Sequence, residues 1–74
     1  MSLASAPMRR VFLVKGVRPG NPLSHRLMEM GLIEGTEVQV IGRAPLGDPL
    51  QIRLGDYELS LRSSEADLVE VDAL

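Results

Sequence analysis

His25 and Glu29 are the side chains in this sequence best suited to holding a metal ion. They lie four positions apart, and on a helix that spacing puts an imidazole and a carboxylate on one face. The pair suits a first-row divalent metal. A tight site needs about four ligands, however, and the flanking sequence supplies no third. His25 is the only histidine and there is no cysteine. The expectation is at most a weak divalent contact at His25 and Glu29, with no required cofactor. The later carboxylates Asp48, Asp56, Glu58, Glu65 and Asp67 follow no calcium-loop spacing.

Catalytic chemistry has less to work with. No serine or threonine stands with a base in a recognisable nucleophile motif, and thiol chemistry is excluded. Gly16 and Gly20 are too far apart, and in the wrong context, for a phosphate cradle. The sequence therefore reads as a binding domain and not as an enzyme. One phosphate-related role stays open, since a partner of a nucleotide hydrolase can donate an arginine to the transferring phosphoryl group. Arg18, Arg26 and Arg43 are the candidates, in or beside loops and the predicted helix.

Composition narrows the partner. The 74 residues carry a formal net charge of −2, and nucleic-acid binding calls for a basic surface. The aromatics are only Phe12 and Tyr57, too few for a proline-peptide groove or a base-stacking platform. Arg9, Arg10, Lys15, Arg18 and Arg26 all precede the first acidic residue, Glu29. That asymmetry predicts either two ordinary solvated groups or a basic face that meets an acidic partner. No apolar run approaches the roughly 18 residues of a membrane span, so direct membrane insertion is not expected. The lack of cysteine leans towards a cytoplasmic location.

These residues need elements to place them. Residues 1–10 read as a flexible N-terminal segment and 11–74 as a single domain. Val11-Phe12-Leu13-Val14 predicts a strand buried on both sides or nearly so, ended by Gly16 and Pro19-Gly20. Asn21 as cap and Pro22 at the first position predict one short α-helix near 22–30, with Leu23, Leu27 and Met30 inward and Gly31 as its stop. Alternation predicts strands over 36–41, 50–54 and 57–61, the last two joined at Gly55-Asp56. A serine-capped helical turn at 63–67 and a strand around Val69 and Val71 complete the chain. Five short strands, each with one apolar face, predict a mostly β fold. The sheet must curl into a small barrel with the helix at one end. An exposed edge strand would permit weak homo-oligomers.

Three stretches carry a resemblance to a known family. They are Leu27-Met28-Glu29-Met30-Gly31-Leu32-Ile33-Glu34-Gly35, Ala44-Pro45-Leu46-Gly47-Asp48-Pro49-Leu50 and Leu59-Ser60-Leu61-Arg62-Ser63-Ser64-Glu65-Ala66. In this order and spacing the chain resembles the FeoA family of ferrous iron transport proteins, from about Val11 to Val71. Family members often carry proline where this chain has Glu34, a departure that bears on turn stiffness. The resemblance implies an SH3-like barrel with an inserted helix. It also implies a cytoplasmic accessory of a membrane ferrous iron transporter, a large GTP-binding permease. The same fold occurs as a C-terminal domain in metal-dependent repressors, but no helix-turn-helix precedes it here.

For a partner-binding module, the predicted contact surface is the loop Pro45, Leu46, Gly47, Asp48 and Pro49, together with Arg26 and Met28 on the helix. Loops on a rigid scaffold often carry binding residues. Two prolines stiffen this one, which lowers the ordering cost of association. Leu46 would be an apolar anchor at its tip, and Met28 an adaptable apolar contact.

Overall fold

The computed structural model describes all 74 residues. The first apolar run becomes β1, Phe12–Val17. Phe12 and Val14 are buried while Val11 and Leu13 are half-buried, so one side of this run packs fully into the core and the other only in part. Gly16 does not end the strand. The register against the final strand shifts between Val14 and Gly16, forming a bulge, and pairing resumes to Val17. Glycine inside a strand pattern is as consistent with a bulge as with a stop.

The helix α1 is Ser24–Glu29, shorter than the predicted span. The Asn21 side-chain oxygen accepts the Leu23 N–H at 2.9 Å, so Asn21 caps the turn leading into the helix rather than the helix itself. Its C-terminus follows the prediction. Gly31 sits at φ 106°. Its N–H donates to the Met28 carbonyl at 3.0 Å, and that of Leu32 to the Leu27 carbonyl at 3.2 Å. Those are the two bonds of a Schellman end. Leu27 and Leu32 are fully buried, whereas Leu23 and Met30 are only half-buried. Six residues cannot sustain a free helix. Burial of the two leucines, each worth about 1.5–3 kcal/mol, holds it in place.

The strands β2, Glu37–Arg43, β3, Leu50–Leu54, and β4, Tyr57–Leu61, follow as antiparallel neighbours. Gly55 at φ 62° opens the two-residue turn that pairs Leu54 with Tyr57, as the sequence predicts. The turn α2, Ser63–Ala66, leads into β5, Val69–Ala73. The five strands form one sheet in the order β4-β3-β2-β1-β5. β4 and β5 are its edges, and α2 joins them. The result is mostly β and barrel-like, with a sheet that does not close. Its core holds 15 buried apolar residues drawn from every element.

The N-terminal segment corrects the sequence reading. Residues 1–10 were expected to be flexible. Instead Leu3–Ser5 form a single 3₁₀ turn, and Leu3 and Ala6 are fully buried. Ser2 bridges Glu70 on β5 and Met8 bridges Val40 on β2. Arg43 clamps the segment by donating to the carbonyls of Ala6 at 2.8 Å and Ala4 at 3.3 Å. The barrel needs a cover beside β5, and this segment supplies it.

Candidate functional site

The loop at residues 44–49 is built to project one side chain. The Gly47 N–H donates to the Ala44 carbonyl at 2.7 Å, closing a β-turn with Pro45 and Leu46 at its centre. Pro45 supplies the fixed φ that the second position of such a turn favours. The Ala44 N–H donates to the Pro49 carbonyl at 3.1 Å and closes the base of the loop. Leu46 is 97% exposed at the tip.

Stiffness here does not come from proline alone. The Ser63 N–H donates to the Asp48 carboxylate at 2.9 Å, and the Ser63 hydroxyl donates to the Gly47 carbonyl at 3.1 Å. The helical turn expected to carry a serine cap instead has Arg62 in the cap position. There the Glu65 carboxylate accepts the Arg62 N–H at 2.9 Å. Ser63 is thus an anchor of the loop, which sequence reasoning missed. Its partners lie 15 and 16 positions away, beyond the reach of any local pattern.

The loop and the helix do not form one patch. Residues 44–49 lie at the Leu50 end of β3. The end of α1 lies at the other, where the Tyr57 hydroxyl donates to the Met30 carbonyl and a Cβ on Gly31 would approach Leu54 at 3.2 Å. A five-residue strand separates its ends by roughly 13 Å. Met28, 41% exposed, therefore groups with Ile33 and Tyr57 around the helix terminus, and not with Leu46. Tyr57 and Ile33 were not singled out from sequence. Tyr57 reads there as an inward strand position, yet it stands at the exposed edge.

The cationic residues separate clearly. Arg18 pairs with Glu70 at 2.9 Å and Lys15 approaches Asp72 at 4.0 Å, so β5 brings acidic partners to the predicted basic face. Arg43 is spent on the N-terminal carbonyls. Of the arginines weighed for phosphoryl chemistry, Arg26 alone makes no ion pair or side-chain hydrogen bond, and it is exposed. His25 Nδ1 lies 3.9 Å from Glu29 Oε1, with both side chains well exposed. No group of three or more His, Cys, Asp or Glu residues gathers anywhere in the molecule.

Comparison with known proteins decides the family. The FeoA domain model matches residues 1–73. The chain belongs to the FeoA domain family. The FeoA-like protein of Clostridium acetobutylicum superimposes with a TM-score of 0.93 at 38% identity, over 100% of this chain and 86% of that one. FeoA of Stenotrophomonas maltophilia, crystallised with zinc and described as a procaryotic SH3 domain protein, gives a TM-score of 0.86 at 33% identity. That match covers 97% of this chain and 89% of that one. The architecture of this FeoA domain is thus SH3-like. A Porphyromonas gingivalis protein named as a fusion of Fe(2+) transport protein A with the Fe(2+) transporter FeoB is 41% identical over 49 residues, 66% of this chain. The matched stretch makes up only 6% of that fusion protein. No helix of this FeoA domain is long and apolar enough to cross a membrane.

Proposed function

We propose that this FeoA domain is a cytoplasmic accessory of a membrane ferrous iron transporter and acts by binding the transporter's GTP-binding region. The observation that carries this reading is the fusion protein, in which a related domain and the transporter share one chain. Covalent linkage raises the effective concentration of two modules that work together. A stiff loop presenting one exposed leucine suits such a contact, because little ordering entropy is lost on binding. Under this reading Leu46 is the apolar anchor, with Pro45, Gly47, Asp48 and Pro49 holding it out. Arg26 and Met28 serve a second contact at the helix. The domain needs no cofactor of its own, and His25 with Glu29 is at most a weak divalent contact. Replacing the native domain with a Leu46→Asp variant in cells tests the loop. Ferrous iron uptake should fall while the protein remains folded. Full uptake by a folded variant would leave the loop with a structural role alone.

The free side chain of Arg26 favours a second reading, in which the domain regulates nucleotide hydrolysis by the same partner. An arginine donated in trans can raise such a rate about 10³–10⁵-fold. Arg26→Ala should then abolish any stimulation of hydrolysis while leaving binding within a few fold. Undiminished stimulation would remove this reading and leave the first intact.

A further inference from the structure

The two edges of the sheet are treated differently. β5 is covered, because Ser2 bridges Glu70, and the Val71 N–H donates to the Met1 carbonyl at 2.8 Å. Nothing covers β4. Its register against β3 runs without a bulge from Leu54–Tyr57 to Leu50–Leu61. Since a two-residue turn makes Leu54 and Tyr57 a hydrogen-bonded pair, alternation turns Tyr57, Leu59 and Leu61 towards β3. The N–H and C=O groups of Glu58 and Ser60 then point outwards. Both residues are exposed, and their backbone groups find no partner elsewhere in the fold.

Edge strands are normally blunted by proline, lysine or a bulge. β4, with the sequence Tyr-Glu-Leu-Ser-Leu, has none of these. Its one charge is neutralised within the chain, since Arg53 donates to the Glu58 carboxylate at 2.7 Å. The Ser60 hydroxyl is likewise occupied, donating to Gln51 Oε1 at 2.8 Å.

From this we propose that the β4 edge is a self-association site, pairing antiparallel with β4 of a second copy of the chain. The register is self-complementary. With Leu59 opposite its own counterpart, Glu58 lies opposite Ser60 of the other copy, and these two exchange both backbone hydrogen bonds. The two glutamates sit only on the diagonal, each already paired with its arginine. The half-buried Leu59, on the core-facing side of the sheet opposite Ile52, gains its counterpart in the second copy as an apolar neighbour. This proposal concerns the chain's contact with itself and does not depend on the transporter reading.

The interface is small, so a Kd on the order of 0.1–1 mM is expected. Sedimentation of the full chain from about 10 µM to 1 mM should show mass rising towards a dimer. The amides of Glu58 and Ser60 should exchange about fivefold more slowly at the top of that range, with other amides unchanged. Ser60→Pro removes an outward N–H that β3 does not use, and should abolish both effects. Should that variant unfold, Glu58→Lys with Ser60→Lys serves in its place, because it sets like charges directly opposite one another. A monomer throughout the range would overturn the proposal. So would a dimer that survives the folded variant. Binding of a transporter fragment through Glu58 and Ser60 without any dimer would also overturn it, assigning the edge to a foreign strand.

Discussion

Gly31 bears three demands at once. It holds φ 106°, it ends α1, and a Cβ there would sit 2.9 Å from the Tyr57 hydroxyl. Gly31→Ala should therefore cost about 1–3 kcal/mol by denaturant unfolding, from backbone strain and from displacement of Tyr57. Tyr57→Phe removes only the hydrogen bond to the Met30 carbonyl and should cost about 0.5–1.5 kcal/mol. A loss below about 0.5 kcal/mol in Gly31→Ala would mean that the glycine conformation does not secure the helix end. At Leu46, complete exposure predicts that the Asp substitution changes stability by no more than about 0.5 kcal/mol. For His25 and Glu29 the expected result is Fe(II) binding weaker than micromolar by calorimetry, since an exposed pair with no third ligand cannot hold the ion tightly. Sub-micromolar binding lost in His25→Ala would contradict that.

Among the elements, those with local signals were legible in the sequence. Gly55-Asp56 marks the β3–β4 hairpin, and the alternation of Leu50, Ile52 and Leu54 marks its first strand. Gly31 and Leu32 mark the end of α1 through bonds that span five residues or fewer. Long-range dependencies were hidden. Residues 1–10 show no period, and Leu3 is buried against elements near the other end of the chain, so nothing local betrays it. The Gly16 bulge was hidden for the same reason, since the partner strand alone distinguishes a bulge from a stop. The candidate site divides likewise. The projecting loop could be read from its two prolines and its glycine, but its anchoring by Ser63 and its separation from Met28 depend on how β3 and α2 pack. If the N-terminal segment is a structural part of the barrel, Leu3→Ala should destabilise the domain by about 2–4 kcal/mol in chemical denaturation. A loss below about 0.5 kcal/mol would restore the reading of a frayed end.

At the scale of the whole molecule, an FeoA domain with radius of gyration 10.8 Å has little interior beyond its 15-residue core. Its chemistry is therefore on the outside. One end of β3 offers Leu46 on a tied loop, the other offers Met28, Ile33 and Tyr57 around the helix terminus, and the β4 edge offers open backbone. Under the proposed function the domain works by contact, and the transporter engages the two ends of β3 independently. The measurement that bears most directly on this account is titration of the isolated FeoA domain into the cytoplasmic GTP-binding part of the transporter. The wild-type chain should bind saturably, and Leu46→Asp, equally stable, should bind at least about tenfold more weakly, a loss of about 1.4 kcal/mol. No binding by the wild-type chain, or equal binding by the folded variant, would contradict it.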